Sequence, residues 1–420
     1  MESISKRLTS RAAITLYIIM ASSYIVNAMD RQVFANLVKS INQELGLTIA
    51  QGGLLSTIFA VGFGITGFFA GYMLDKWARK TVMIAGILVY SLFTIAIGIS
   101  TGFIDMGTFR ILTGVGEAMQ QTALFTIAGV VFASRRNLAI GGLNAAYGMG
   151  AFLGPVIGVQ LFTASNSWRF PFYVFGIIGI VFAVILWFVL PKDFTEFAKE
   201  ASTTKKAPVA SAPIAESGTS ASSWISKNLI LLAIANGLIS FSNFGYNGLY
   251  PTFLKSALTF SASDAAFAHG FYGIGAFTGI ISGYLADKYG EKKILLFALV
   301  GSMANAYLMF NVLTVPWHQA VSSFFMGAFG SGFLFVNIYA LTQKVVPGNH
   351  VGKASGIASS AHYLTAGFAG GLLGTLVQAF GWSTGTLIQM VLLPIVTIIC
   401  IVLVKIDPPN VAKDSSSLSS

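Results

Sequence analysis

Residues 71–83 read GYMLDKWARKTVM, and residues 283–295 read GYLADKYGEKKIL. Both stretches follow an apolar run and share a leading Gly-Tyr and an Asp-Lys pair at the same spacing. They lie 212 positions apart in a chain of 420 residues, and Trp168 and Trp382 recur at a similar distance. A repeat at about half the chain length predicts two similar units joined in tandem.

The composition around these repeats is that of a membrane protein. Hydrophobic residues make up 55% of the chain and charged residues only 10%, whereas soluble domains carry about 25% charged residues. Apolar runs of about 20 residues are long enough to cross a bilayer as helices. We count twelve such runs, approximately residues 13–37, 50–74, 80–100, 106–131, 137–163, 171–190, 226–254, 263–286, 292–312, 316–344, 351–379 and 384–405.

A polar stretch divides these runs into six and six. Residues 191–223 are rich in Ser, Ala, Thr and Pro, which is typical of a linker. We therefore predict an all-α membrane protein with twelve transmembrane helices in two pseudo-symmetric six-helix bundles. The predicted parts are an N-terminal bundle (1–190), a cytoplasmic linker (191–225), a C-terminal bundle (226–405) and a disordered cytoplasmic tail (406–420).

The basic residues predict the orientation. With alternate loops assigned to opposite sides, all but five of the 25 lysines and arginines fall on one side: Lys39, Arg169 and Lys255 fall on the other, and Arg31 and Arg110 lie within the membrane. Since cytoplasmic loops carry the excess of positive charge, both termini are predicted to be cytoplasmic. This bias explains the net charge of +10 without a nucleic acid partner. We expect a multi-pass protein of a bacterial inner membrane.

Four charged residues fall well inside predicted helices: Asp30, Arg31, Arg110 and Glu117. A charge at the bilayer centre costs about 2.5–3.5 kcal/mol on insertion scales, so such residues pair with one another or line a wet cavity. Helical spacing places them in two polar stripes that meet at the same depth. The stripes consist of Tyr24, Asn27, Asp30 and Arg31 on helix 1, and of Arg110, Gly114, Glu117 and Gln121 on helix 4.

Two interpretations of these charges stay open. In the first, they form two static ion pairs, Asp30 with Arg110 and Arg31 with Glu117. Apolar replacements are often as stable as buried pairs, which disfavours a purely structural role. In the second, one arginine captures an anionic substrate while a carboxylate takes up and releases a proton.

Several motifs resemble those of the major facilitator superfamily. The stretch 283–295 fits its loop motif G-x-x-x-D-[RK]-x-G-x-[RK]-[RK], and 71–83 departs from it at Ala78 and Thr81. Helix 4 carries the similar R-x-x-x-G-x-G at 110–116, and helix 5 carries GMGAFLGPVIG (148–158), like G-x-x-x-G-P-x-x-G. The resemblance covers the whole chain and implies the major facilitator fold, with a substrate site between the halves near the midplane.

The buried charges resemble a subfamily as well. Adjacent Asp-Arg in helix 1, with Arg and Glu seven apart in helix 4, is similar to the anion:cation symporters, which include galactonate and hexuronate transporters and vesicular glutamate carriers. This resemblance implies that Arg31 binds the substrate carboxylate, that Asp30 and Glu117 are protonation sites, and that Arg110 partners Asp30. The Asp-Arg pair and the Glu are also similar to those of spinster-like lysophospholipid transporters.

Further polar residues are candidates for the cavity or the gate. Substrate-binding candidates besides Arg31, Tyr24, Asn27 and Gln121 are Asn144, Tyr147, Asn243, Tyr246, Asn247, Asn337, Ser360 and His362. A lone helical histidine such as His362 or His269 is more often a packing residue than a proton carrier. The loop motifs are expected to hold the cytoplasmic side shut without touching substrate, through Gly71, Asp75, Lys76, Arg135, Gly283, Asp287 and Lys288.

The sequence therefore predicts a transporter and not an enzyme. No metal-ligand spacing or phosphate-loop motif occurs, Cys400 is the lone cysteine, and we expect no cofactor or metal. We expect a monomeric proton-coupled symporter of small organic anions, such as sugar acids, whose partners are the anion, protons and the bilayer. The alternatives are a spinster-like transporter of lysophospholipids or other amphiphiles and an organic anion exchanger.

Overall fold

The described part of the chain is helical throughout, without a strand. The computed structural model describes residues 10–132, 136–196, 226–346 and 351–405. Before the linker the helices are α1 (Ser10–Leu45), α2 (Ile49–Thr57), α3 (Phe59–Lys76), α4 (Arg79–Gly98), α5 (Phe103–Val131), α6 (Arg136–Ser165) and α7 (Arg169–Val189). After it they are α8 (Lys227–Ser256), α9 (Ala262–Ala276), α10 (Gly279–Tyr289), α11 (Glu291–Asn311), α12 (Pro316–Gly327), α13 (Val336–Lys344), α14 (Val351–Leu387) and α15 (Leu393–Leu403), with π-helical turns at Ala328–Phe335 and Ile388–Leu392.

Nine helical stretches of the described residues are long and apolar enough to cross a membrane. The other predicted crossings fall outside this set for visible reasons. Helix α5 is continuous, but charged and amide side chains lower its hydropathy. The crossing before Tyr289 is divided between α9 and α10. Helix α14 continues into the next crossing, so the two count as one stretch. At Gly381 the backbone leaves helical geometry with φ 78°, and an added Cβ at Gly385 would lie 3.0 Å from the Val377 nitrogen, so the chain turns back there. The count of twelve stays a prediction.

The two copies of the loop motif turn differently. In the second copy, Gly290 links α10 to α11 with φ 90° and ψ 139°, a conformation that glycine adopts without a Cβ penalty. In the first copy, Ala78 links α3 to α4 with an extended backbone, φ −64° and ψ 134°. The departure at Ala78 is therefore accompanied by a turn that needs no glycine.

The helices pack into two halves that meet along three seams. In the first half α1 packs on α6, and α5 packs on α3 and α4; in the second, α8 packs on α14 and α15, and α9 packs on α12. Between the halves, α14 contacts α2 and α3, α6 contacts α9, and α1 contacts α8. The predicted all-helical membrane fold is confirmed.

The seam between α2 and α14 is tight at one end only. A Cβ added at Gly53 would lie 2.2 Å from the carbonyl oxygen of Gly370, and one at Gly374 would lie 2.5 Å from the Cα of Ala50. Further along, a Cβ at Gly67 or Gly356 would meet no described atom within 4 Å apart from its own helix backbone. The two helices therefore separate toward the end of the molecule where α1 begins, which we call the termini end.

The seam between α6 and α9 behaves in the same way. A Cβ at Gly148 would lie 2.8 Å from the carbonyl oxygen of Gly273, whereas a Cβ at Gly141, two turns closer to the termini end, would meet nothing within 4 Å. The halves thus touch at the opposite end, the far end, and diverge toward the termini end.

Candidate functional site

The four intramembrane charges lie together in the first half. Asp30, Arg110 and Glu117 are at most 1% exposed, and Arg31 is 8% exposed. Arg31 Nε donates a 2.9 Å hydrogen bond to Glu117 Oε2, which makes a buried ion pair between α1 and α5. The second carboxylate oxygen of Glu117 has no hydrogen-bond partner. The expected Arg31–Glu117 pair is therefore present, with unused acceptor capacity.

The pair expected between Asp30 and Arg110 is not formed. Arg110 donates from Nε to the carbonyl oxygen of Leu55 (3.0 Å) and from a terminal nitrogen to that of Ser56 (2.9 Å). These carbonyls end α2, next to the break at Ile58, where helical carbonyls lack intrahelical partners and carry partial negative charge. The broken helix thus supplies the acceptors that Asp30 was expected to supply.

Asp30 instead faces α4. Thr94 Oγ1 donates a 2.6 Å hydrogen bond to Asp30 Oδ2, and Asp30 Oδ1 has no partner. The hydroxyls of Tyr90 and Ser91, also on α4, are buried and unpartnered. These three hydroxyl residues were not predicted, because they lie within an otherwise apolar run, where Ser, Thr and Tyr are common.

A chain of amides extends the site along α1 and α5. Arg31 donates to Asn27 Oδ1 (3.1 Å), and Asn27 donates to Gln120 Oε1 (2.8 Å). One turn away, the Tyr24 hydroxyl donates to Gln121 Oε1 (2.9 Å). The predicted stripe of Tyr24, Asn27 and Gln121 is therefore brought together, and Gln120 is an addition to it.

Aromatic rings surround the Arg31 guanidinium. Its central carbon lies 5.0 Å from the ring centre of Phe63 and 5.6 Å from those of Phe59 and Tyr147. Tyr363 of the second half stacks on Phe63, with ring centres 4.2 Å apart. Arginine is attracted to such ring faces. Through the contact of Phe63 with Tyr363, the aromatic surroundings of Arg31 include a residue of the second half.

The second half contributes a polar cluster around α8. The Tyr272 hydroxyl and Asn243 are hydrogen-bonded at 3.1 Å, and the Tyr246 hydroxyl lies 2.6 Å from Ser323 Oγ. Asn247 donates to the backbone of Asn243. Three predicted cavity residues, Asn243, Tyr246 and Asn247, thus lie together, mostly buried and already hydrogen-bonded.

Two other predicted residues are hydrogen-bonded within the second half. Asn337 donates to Ser282 Oγ (2.6 Å), and His362 Nδ1 is bonded to the side-chain oxygen of Asn236 at 2.9 Å. Both are at most 3% exposed. This placement fits packing better than substrate contact. Ser360 is half-buried, and Asn144 is exposed, one turn from Tyr147 toward the termini end.

The described part of the predicted gate lies at the termini end, where Lys76 ends α3. Arg135 and the Asp75 side chain fall outside the described residues, and nothing is described of the surroundings of Gly71. At the other copy, beyond Gly283, Asp287 and Lys288 are exposed, and the Lys288 ammonium lies 5.2 Å from the Tyr289 ring centre. Because the halves diverge here, the expected closing contacts stay a prediction.

No group of three or more His, Cys, Asp or Glu side chains in the described ranges could hold a metal ion. What the site offers is a guanidinium beside a carboxylate, set among aromatic rings and amides. Such a set can bind an anion and exchange a proton.

Comparison with known proteins identifies the family of this chain. The sequence profile of the Major Facilitator Superfamily matches residues 20–233 and, separately, residues 232–419. A hexuronate transporter of Bacillus subtilis (strain 168) is 27% identical over 400 residues, which cover 89% of each chain. A cis,cis-muconate transport protein of Acinetobacter baylyi is 26% identical over 286 residues, 66% of this chain and 67% of that protein.

The fold agrees with a solved structure. A bacterial homologue of the human lysosomal transporter spinster, in an inward-facing and unoccupied conformation, superimposes with a TM-score of 0.72 and 17% identity, covering 94% of this chain and 96% of that one. Since the two profile matches span nearly all of the sequence, this chain belongs to the Major Facilitator Superfamily of multi-pass membrane transporters.

Proposed function

We propose that the protein is a proton-coupled symporter of small organic anions, carboxylates such as sugar acids. The observation that carries the proposal is the ion pair of Arg31 with Glu117. Arg31 is the most exposed of the four buried charges. A substrate carboxylate that binds Arg31 competes with Glu117 for the same guanidinium, so protonation of Glu117 frees the arginine for the substrate.

Charge balance supports coupling to a proton. The two arginines and the two carboxylates of the site sum to zero when all four are ionised. A bound monoanion adds one negative charge in a poorly solvated region, where an uncompensated charge is costly. One proton on Glu117 or Asp30 restores neutrality, which favours movement of anion and proton together.

The surroundings of Arg31 suit a small carboxylate with hydroxyl groups. Guanidinium groups bind carboxylates through two parallel hydrogen bonds. In the first half, Asn27 accepts from Arg31 and donates to Gln120, and in the second half Asn243 and Asn247 supply further amide donors and acceptors. The two relatives described above are named for hexuronate and muconate, both carboxylates, in keeping with this substrate class.

The one-sided seams support an alternating-access cycle. With the termini in the cytoplasm, as the basic residues indicate, the described conformation is closed outside and open inside. Rocking of one half against the other would close the termini end, where the loop motifs lie, and open the far end. We expect a monomer to carry out this cycle in a bacterial inner membrane.

The test uses purified protein in liposomes that contain a pH-sensitive dye. Sugar acids, dicarboxylates, aromatic acids and lysophospholipids are added outside, and wild type is compared with Glu117→Gln. Glu44→Gln is the matched control, because Glu44 is a carboxylate paired with an arginine at the far end, away from the site. Internal acidification with one class of anion, lost in Glu117→Gln and kept in Glu44→Gln, supports symport. Radiolabelled anion exchange that persists in Glu117→Gln without proton movement would overturn it and favour an exchanger.

A transporter of anionic amphiphiles is the second candidate. The rings of Phe59, Phe63, Tyr147 and Tyr363 beside Arg31 would suit an apolar tail next to a charged head group. The lysophospholipid arm of the same experiment distinguishes it, because proton movement with that arm alone would favour the amphiphile.

A further inference from the structure

The basic residues at the far end differ in the partners that they bind. The sequence predicts three there: Lys39, Arg169 and Lys255. Arg169 forms an ion pair with Glu44 and lies over the Trp168 ring at 4.2 Å. The other two come from different halves of the molecule, and they meet where α1 contacts α8.

The contact between the two lysines is reciprocal. Lys39 Nζ donates a 3.0 Å hydrogen bond to the carbonyl oxygen of Lys255, and Lys255 Nζ donates to the carbonyl oxygen of Asn36. The Asn36 amide is hydrogen-bonded to His269 Nδ1 at 3.0 Å. We call Asn36, Lys39, Lys255 and His269 the far junction. All three hydrogen bonds join the first half to the second.

The far junction brings two lysine amino groups together without a carboxylate partner among the described residues. The ion pairs among the described residues are Arg31–Glu117, Arg169–Glu44 and Lys344–Glu291, and neither junction lysine takes part. Backbone carbonyls accept the lysine hydrogen bonds, but a carbonyl carries no formal charge with which to balance a lysine ammonium.

The acidic residues nearby are engaged elsewhere. Glu44 binds Arg169 and the Trp168 indole. Asp105 accepts backbone hydrogen bonds at the start of α5, and Asp264 is bonded to Ser261 at the start of α9. These acidic side chains therefore do not pair with the two lysines, which leaves the lysines as candidate ligands for an anion that comes from outside the protein.

We propose that Lys39 and Lys255 form an anion-binding subsite at the far end, which becomes available when the halves separate there. This inference rests on the proposed function, transport of organic anions. Separation breaks both lysine–carbonyl bonds, because each crosses between the halves, and the two ammonium groups then flank the entrance to the cavity. Lys39 follows Arg31 by eight residues on α1, which is about 12 Å along the helix axis. A carboxylate held by the lysines therefore lies on the way to Arg31.

Closing the far end reverses this arrangement. Each ammonium returns to the carbonyl of the opposite helix, and the anion loses both of its partners. The same two lysines thus attract the substrate in the open state, as clustered positive charge at a cleft does, and hold the halves together in the closed state.

The test needs a protein whose far end is open. Gly370→Leu provides it, since even a Cβ at Gly370 would lie 2.0 Å from the carbonyl oxygen of Gly53. Gly374→Leu is the substitute if the first variant elutes as aggregate in size-exclusion chromatography. In a Cys400→Ser background, a bimane fluorophore is attached to a cysteine at the exposed position Ala257, two residues after Lys255. Quenching by iodide, an anion, is compared with quenching by neutral acrylamide.

Neutral and charge-conserving lysine variants are then compared. We expect K39Q/K255Q to lower the iodide quenching constant at least twofold with acrylamide quenching unchanged. K39R/K255R and the control R169Q should keep the iodide value, and D-glucuronate should compete with iodide only where the lysine charges are present. Equal iodide-to-acrylamide ratios in K39Q/K255Q and its parent would overturn the subsite.

A transport assay without Gly370→Leu and the fluorophore separates this inference from the proposed function. For radiolabelled D-glucuronate uptake in liposomes, K39Q/K255Q should raise KM at least fivefold with maximal rate within twofold, and K39R/K255R should not. An unchanged KM in K39Q/K255Q contradicts the subsite and leaves the proposed function standing. If wild type takes up neither glucuronate nor cis,cis-muconate, the proposed function fails, and the quenching comparison still decides the subsite.

Discussion

Arg31 and Glu117 form an ion pair of 2.9 Å, and the two side chains differ in exposure and in the groups that surround them. Glu117 is fully buried and has one oxygen without a hydrogen-bond partner. Arg31 is 8% exposed and lies among the rings of Phe59, Phe63 and Tyr147. Glu117 is therefore placed to respond to what occupies Arg31 without touching the bulk of a substrate.

The geometry of Arg31 predicts that lysine cannot replace it. Arg31 uses Nε for Glu117 and a terminal nitrogen for Asn27, and the single ammonium of Arg31→Lys cannot reproduce this fork. Loss of one charged hydrogen bond costs about 1.5–3 kcal/mol, so we expect KM for anion uptake to rise by about 10- to 100-fold. Radiolabelled uptake in liposomes measures this, with Arg169→Lys as control. A KM within twofold of wild type would exclude Arg31 as the anion ligand.

Arg110 is predicted to act on stability through the broken helix. Arg110→Lys keeps the charge but cannot donate to both Leu55 and Ser56, so we expect a loss of about 1–3 kcal/mol in stability. Thermal unfolding of the detergent-solubilised protein, compared with Arg169→Lys, reports the change. If Arg110→Lys unfolds like wild type while Asp30→Asn destabilises strongly, the ion pair with Asp30 is the relevant contact after all.

Gly114 is predicted to be intolerant of any side chain. A Cβ there would lie 1.8 Å from the carbonyl oxygen of Phe59, where α5 crosses α3. Overpacking of this kind costs about 1–3 kcal/mol, so Gly114→Ala should lower the unfolding temperature. Gly67→Ala is the matched control, because its Cβ meets nothing within 4 Å. Equal unfolding temperatures for the two variants would contradict the close crossing of α5 and α3.

The one-sided seam predicts a specific cross-link. A Cβ at Gly371 would lie 3.1 Å from the Leu54 Cβ, close to the separation of about 3.5–4.5 Å found in disulfides. In a Cys400→Ser background, Leu54→Cys with Gly371→Cys should form a disulfide under mild oxidation and stop transport until reduced. Gly67→Cys with Gly356→Cys should cross-link poorly in the described conformation. The opposite pattern on gel-shift analysis would mean that the far end is open at rest.

His362 is predicted to be dispensable for proton coupling. Its ring is bonded to Asn236 at 2.9 Å and packs against Phe335, with ring centres 5.1 Å apart. His362→Gln should therefore lower stability without changing the number of protons moved per anion, measured as dye acidification per labelled substrate. A changed ratio of protons to anions in His362→Gln would show that His362 takes part in proton coupling.

Much of the fold was predictable because it repeats. The two copies of the loop motif, the apolar runs and the polar linker are local features, and they are sufficient to predict two helical halves. The Arg31–Glu117 pair was also predictable, since a membrane helix tolerates such charges only when they meet. Helical spacing placed both residues at the same depth.

The partners of Arg110 and Asp30 could not be predicted from side-chain patterns. The acceptors for Arg110 are backbone carbonyls, freed by a helix break next to Ile58 that has no Pro to mark it. Thr94 is one of several hydroxyl residues in an apolar helix, and only the packed arrangement of the first half shows which one reaches Asp30 on α1. The far junction likewise depends on how the two halves meet, so Asn36 and His269 showed no pattern that linked them.

The seam between Gly53 and Gly370 brings two helix backbones close together, and the Thr57 hydroxyl bonds across it to Gly367 and Gly370. Because glycines have no side-chain torsions and few side chains take part, closure orders few torsion angles and its entropic cost is small. A contact of this kind also does not depend on the chemistry of the transported molecule. In the proposed cycle, substitutions near Arg31 can therefore change which substrate is carried during evolution, while the opening and closing movements stay the same.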